Sequence, residues 1–166
     1  NEDLEIMNSF SLRSYLSTRS RADFDVLAAC VLGREAFFVH FAVAGGRVSH
    51  GGYFNLQTLL DDEDEVLREF MIDFYRRRPL PGEIVVSRLP AEAGGLAGLF
   101  SSQAGRRVLI RIVRQGKKRQ VLDLALKNLA LFVRKSDYRS LGEKMREMLR
   151  LRHFPFHMRY VGSQFR

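Results

Sequence analysis

Apolar and polar positions along the chain fall into segments of different period. Residues 24–31 form a mostly apolar run of strand length, and Gly33-Arg34-Glu35 punctuates it. Residues 36–43 are rich in aromatic and β-branched side chains. Ala44-Gly45-Gly46-Arg47 then supplies the glycines of a tight hairpin turn, and residues 48–56 read as a third strand. Three sequential strands with short turns predict an antiparallel meander.

The period then switches. Asp61-Asp62-Glu63-Asp64-Glu65 precedes Val66, Leu67, Phe70, Met71 and Phe74, which are spaced for one helix face. Acids in the first turn and Arg76-Arg77-Arg78 after the last complement the helix dipole, while Pro79 and Pro81 stop the helix. Residues 83–87 predict a short buried strand, 91–103 a Gly-interrupted helix and 107–113 a fifth strand. A helix over 120–135 carries Val121, Leu124, Ala125, Asn128, Leu129 and Phe132 along one side. A second, basic helix over 138–152 has Leu141, Met145, Met148 and Leu149 as its stripe, and 153–161 read as a strand or extended terminus. The predicted class is therefore α/β, a ribonuclease-H-like mixed sheet of order β-β-β-α-β-α-β-α with an additional C-terminal helix. Several mixed α/β folds share pieces of this order. Residues 1–22 read as a linker or incomplete preceding element, with a short helical turn near Leu12 to Leu16. Residues 23–135 form the ribonuclease-H-like module, and 136–166 a basic helix and the start of a following domain.

The 166 residues, 46% apolar and 28% charged, suit a folded domain rather than a disordered chain. No apolar stretch approaches the ~18 residues needed to span a bilayer, and no charged-then-apolar leader opens the sequence, so a soluble protein is expected. Cys30 is the sole cysteine, which excludes an intrachain disulfide and points to a reducing, cytoplasmic compartment. The net charge of +8 is unevenly spread. Residues 1–60 hold 5 basic and 6 acidic side chains, 61–100 hold 5 and 9, and 101–166 hold 17 and 4.

A ribonuclease-H-like nuclease needs carboxylates converging on two divalent metals from the first strand, first helix, fourth strand and last helix. Asp25 stands on the first strand, Asp123 on the last core helix, and Glu69 or Asp73 could project from the first helix. The fourth strand ends in Val86-Ser87-Arg88, where an Arg is electrostatically wrong for a metal ligand. A degenerate active site is expected, with no catalytic and no metal-binding residues, and Asp25 as a strand-start residue in backbone or solvent contact. The acidic run 61–65 lacks the glycine and spaced ligands of a Ca²⁺ loop. His40, His50, His153 and His157 show no metal-ligand spacing. What stands out is Arg106, Arg107, Arg111, Arg114, Lys117, Lys118 and Arg119, a clustering expected of phosphate-backbone binding to double-stranded DNA. An ordinary solvated basic surface is the competing reading. No aromatic residues are interleaved, so base stacking is not indicated.

Several segments in order resemble the middle region of the UvrC family, the nuclease subunit of the UvrABC nucleotide-excision repair system. They are Asp23-Phe24-Asp25-Val26, Phe37-Phe38-Val39 through Ala44-Gly45-Gly46-Arg47-Val48, Leu67-Arg68-Glu69-Phe70 to Asp73-Phe74-Tyr75, and Pro81-Gly82-Glu83-Ile84-Val85-Val86. Most specific is Gly105-Arg106-Arg107-Val108 followed by Arg114-Gln115-Gly116-Lys117-Lys118-Arg119-Gln120-Val121-Leu122-Asp123-Leu124-Ala125 and Asn128. The resemblance implies a segment after the UvrB-binding helical hairpin and before the catalytic ribonuclease-H-like domain. It also implies DNA, UvrB and UvrA-type subunits as partners, and Mg²⁺ or Mn²⁺ for the family's nuclease domains but no cofactor in this segment. That catalytic domain opens, by resemblance, on a strand carrying a metal-binding Asp, whereas Met158-Arg159-Tyr160-Val161-Gly162-Ser163-Gln164 has none. The expected role is a non-catalytic structural and DNA-binding module of an excinuclease subunit. The alternatives are a module docking repair subunits or the catalytic domain, and an active metal-dependent endonuclease domain.

Overall fold

The computed structural model describes residues 23–150 and 161–165, with side chains described over 23–49 and 51–136. The expectations for residues 1–22, for the tail up to 160, and for the side chains of His50, His153 and His157 lie outside these described residues. Strands β1 (Phe24–Leu32), β2 (Glu35–Ala44) and β3 (Arg47–Gln57) form the expected meander. Helix α1 (Glu63–Arg76), β4 (Glu83–Val86), α2 (Ala93–Ala104), β5 (Leu109–Arg111), α3 (Lys117–Arg150) and β6 (Val161–Phe165) follow. The sheet order is β5-β4-β1-β2-β3-β6. β1 pairs antiparallel with β2 and parallel with β4, and β4 pairs parallel with β5, so the sheet is mixed.

Local chemistry accounts for the elements. The β2–β3 turn holds Gly45 at φ 59° and Gly46 at φ 76°, and two consecutive positive φ values are what a two-residue hairpin of matching twist requires. At the start of α1, Asp62 accepts a hydrogen bond from the Asp64 N–H at 2.8 Å, satisfying a backbone donor that the helix leaves unpaired. The acidic run 61–65 is thus a helix start.

The central strands are covered on both faces, which is why they read as continuous apolar runs rather than alternating ones. One layer sets Phe24, Val26, Ala28, Phe37 and Val39 against Val121, Leu122, Ala125 and Leu129 of α3. The other sets Leu27, Ala36, Phe38 and Ile84 against Val66, Leu67, Phe70 and Met71 of α1 and Leu96 and Phe100 of α2. Phe38 and Phe70 stack at 3.7 Å between centroids.

Several element boundaries differ from the sequence expectation: α3 begins at Lys117 rather than at 120, and the strand described in the tail is Val161–Phe165, which pairs antiparallel with β3 as a sixth strand of the sheet. The fifth strand shrinks to Leu109–Arg111, because only these residues find partners along the four-residue β4. The additional C-terminal helix continues from the preceding one without interruption, since Lys135-Ser136-Asp137 contains neither Gly nor Pro to end it. Within the described residues no helix is long and apolar enough to cross a membrane.

Candidate functional site

Strand alternation decides the surroundings of Asp25. Phe24 and Val26 face the α3 layer, so Asp25 and Leu27 face the α1 layer. Asp25 is only 7% exposed, and its Oδ2 accepts a hydrogen bond from the Tyr75 hydroxyl at 2.6 Å. His40 Nε2 lies 2.9 Å from the same oxygen. A carboxylate only accepts, so the ring proton is assigned to Nε2, which leaves the buried Nδ1 without a partner among the described residues. Phe74 packs on the His40 ring at 4.6 Å. The expectation of a strand-start Asp in backbone or solvent contact is therefore corrected. Asp25 is the centre of a buried polar cluster because β1 is an interior strand with a helical layer on each side.

The other acids lie elsewhere. Asp123 belongs to α3, on the opposite layer, where it pairs with Arg119 at 2.9 Å. Glu69 is exposed beside Arg68, and Asp73 is exposed 3.7 Å from Arg76. At the end of β4, Arg88 bonds Glu63 at 2.6 Å and also Asp64, tying the strand's exit to the first turn of α1. These residues do not fit a two-metal centre: Asp25 Oδ2 already holds two hydrogen bonds, and a guanidinium occupies the fourth-strand position. Among the described residues no three His, Cys, Asp or Glu side chains gather as a metal ion would need. Burial pushes the Cys30 thiol up, with Glu63 adding to the effect, so it is a poor nucleophile.

The basic cluster divides in two. Glu83, 7% exposed at the start of β4, binds both Arg111 Nε and Lys118 Nζ. Burial works to raise this carboxyl, but the hydrogen bonds and charges of Arg111 and Lys118 outweigh it and hold the group below its ordinary value. Lys118 also lies 5.4 Å over the Phe24 ring. Arg119 reaches Asp123 and the Val113 carbonyl, and Arg106 donates to the Leu80 carbonyl at 2.9 Å. Four of the seven expected cations are thus engaged, Arg111 and Lys118 joining β5 and α3 to Glu83 of β4, Arg119 on Asp123 and the Val113 carbonyl, and Arg106 on the segment before β4. Arg107, Arg114 and Lys117 are exposed and have no ion-pair partner among the described residues.

The sequence reading missed the Asp25–His40–Tyr75 cluster. An available signal was parity: Asp25 and His40 each interrupt an apolar run on the α1 side of neighbouring strands, where Asp25 pairs with Ala42 and Leu27 with His40.

Sheet order and layers define a ribonuclease-H-like mixed α/β domain. Residues 23–136 match the family described as the UvrC Ribonuclease H-like domain, and the chain belongs to that family. It is 26% identical over 157 residues to a UvrABC system protein C of Methanococcus maripaludis, covering 89% of this chain and 29% of that protein. It is 33% identical over 107 residues to one of Sphingopyxis alaskensis, covering 64% of this chain and 17% of the relative. A third, of Nitrosococcus oceani, is 29% identical over 157 residues, covering 90% and 26%. The chain thus spans less than a third of the length of these relatives.

Proposed function

We propose that this chain is a non-catalytic structural and DNA-binding module of a UvrC-type excinuclease subunit, acting in cytoplasmic nucleotide-excision repair. The observation that carries the reading is the contrast between its acids and its bases. The β1 carboxylate is consumed by Tyr75 and His40, and the β4 exit by an Arg88 ion pair. Arg107, Arg114 and Lys117 remain solvent-facing beside a junction made rigid by Glu83. Such cations attract the phosphates of double-stranded DNA, and UvrB- and UvrA-type subunits are the proposed protein partners. Any Mg²⁺ or Mn²⁺ would serve nuclease domains outside these residues.

The test is duplex binding by this chain followed by fluorescence anisotropy at two salt concentrations. Arg107→Glu, Arg114→Glu and Lys117→Glu together should abolish binding that the parent shows at low salt; unchanged binding would sink the DNA reading. Nicking of supercoiled DNA in Mg²⁺ or Mn²⁺ that disappears in Asp25→Asn would instead establish an endonuclease.

A further inference from the structure

Four of the large apolar side chains that remain exposed stand at or just beyond the carboxyl ends of strands. Leu32 closes β1 at 48% exposure, Leu59 and Leu60 follow β3 at 87% and 38%, and Leu89 follows β4 at 45%. β1, β3 and β4 run in one direction, because β2 is antiparallel to both β1 and β3 while β4 is parallel to β1. Their carboxyl ends therefore point the same way, β1 and β3 ending level with one another and β4 ending level with Leu27. Hydrogen bonds knit the segments there. Arg34 Nη1 donates to the Leu59 carbonyl, Thr58 N to the Arg34 carbonyl and Ala91 N to the Asp64 carbonyl, each at 2.9 Å.

Beside Leu60 a cleft of about 430 Å³ opens where α1 begins and the chain enters α2, lined by Leu60, Ala91, Glu65, Arg68, Glu69 and Glu92. Three glutamates face one cation, and Arg68 is already bonded to Glu69 at 3.3 Å. Glu65 and Glu92 have no ion-pair partner among the described residues. Glu92 also has the sole positive φ of any described non-glycine residue, 51°, a strained backbone that the cleft retains.

Exposed leucines flanking a cleft mark a surface that another apolar surface covers. The acidic rim selects that surface's charge: it repels phosphate and favours Lys or Arg. We propose that this cleft docks a basic amphipathic segment of a partner protein, with apolar side chains on Leu59, Leu60 and Leu89 and cationic ones facing Glu65 and Glu92. None of these residues belongs to the proposed DNA face, so either reading can fail without the other.

The probe is a fluorescent synthetic helix with one leucine face and one lysine face, titrated into this chain; a leucine–glutamate helix of the same pattern is the control. Two double variants are compared, Leu59→Asp with Leu89→Asp and Glu65→Lys with Glu92→Lys, all at exposed positions and checked for intact fold by circular dichroism. The leucine–lysine helix should bind the parent, and each double variant should weaken it by about tenfold or more. The Glu65→Lys, Glu92→Lys variant should gain affinity for the leucine–glutamate helix. Equal binding to the parent and both variants overturns the proposal. So does self-association of the parent in sedimentation that Leu59→Asp removes, which would assign the surface to a second copy.

Discussion

Asp25 owes its surroundings to the strand it stands on, and its cost to burial. A buried carboxylate is tolerated only when hydrogen-bonded, so its two donors are structural necessities. Tyr75→Phe deletes the 2.6 Å bond and leaves His40 as the remaining donor; the expected loss is about 1–3 kcal/mol of unfolding free energy, read by urea titration. Burial, then the charge and hydrogen bond of Asp25, push the Tyr75 phenol well above its ordinary value of 10.0, with Arg78 opposing. The unfolded phenol ionises near 10 while the folded one keeps its proton, so Tyr75 contributes fully below that pH and its contribution fades as pH rises beyond it. Alkaline unfolding above pH 10 should therefore be less steep in Tyr75→Phe than in the parent. Glu83 behaves oppositely. Its carboxyl is held below the ordinary 4.5, so its contribution is full above that pH and is lost as pH falls through the depressed value. Glu83→Gln should destabilise the domain at neutral pH, where Arg111 and Lys118 lose their counter-charge, and should flatten the acid limb of stability below pH 4.5. The partners of neither carboxyl were read from sequence, because each looked like the first polar residue of a strand. Their partners lie 15 to 50 residues away.

At the scale of elements, α2 separates two kinds of glycine. Gly98 lies within the helix with nothing within 4 Å of an added Cβ, so Gly98→Ala should stabilise the domain by about 0.5–1 kcal/mol through backbone entropy alone. Gly105, equally uncrowded, ends the helix at φ 66°, and its N–H bonds back to the last turn. Gly105→Ala should cost about 1–2 kcal/mol from the left-handed backbone. Thermal melts that moved in the same direction for both would contradict this assignment. The meander, α1 and the core face of α3 were legible because their periods are strong and their turns and caps carry the residues the geometry demands. The extent of β5 was not, since a strand's length depends on how much partner strand lies beside it.

Over the whole molecule, charge is divided between ends and layers. The 17 basic side chains of residues 101–166 follow β4, whereas five of the nine acids of 61–100, residues 61–65, surround the start of α1. If Arg107, Arg114 and Lys117 each neutralise a phosphate, replacing all three by Gln should make the slope of log affinity against log salt shallower by about 3. A slope unchanged beyond experimental error would move the DNA contact to other cations. By itself the sequence determined the order of elements from β1 to the start of α3, the ribonuclease-H-like class, the family resemblance and the basic character of the last third, because these follow from local periodicity, turn chemistry and counting. Tertiary structure decided which cations are spent and which stay free, that Asp25 is enclosed by His40 and Tyr75, and that Leu60 lines an acidic cleft where α1 begins and the chain enters α2. Those outcomes rest on contacts between residues far apart in the chain, and only strand order and register bring such residues together.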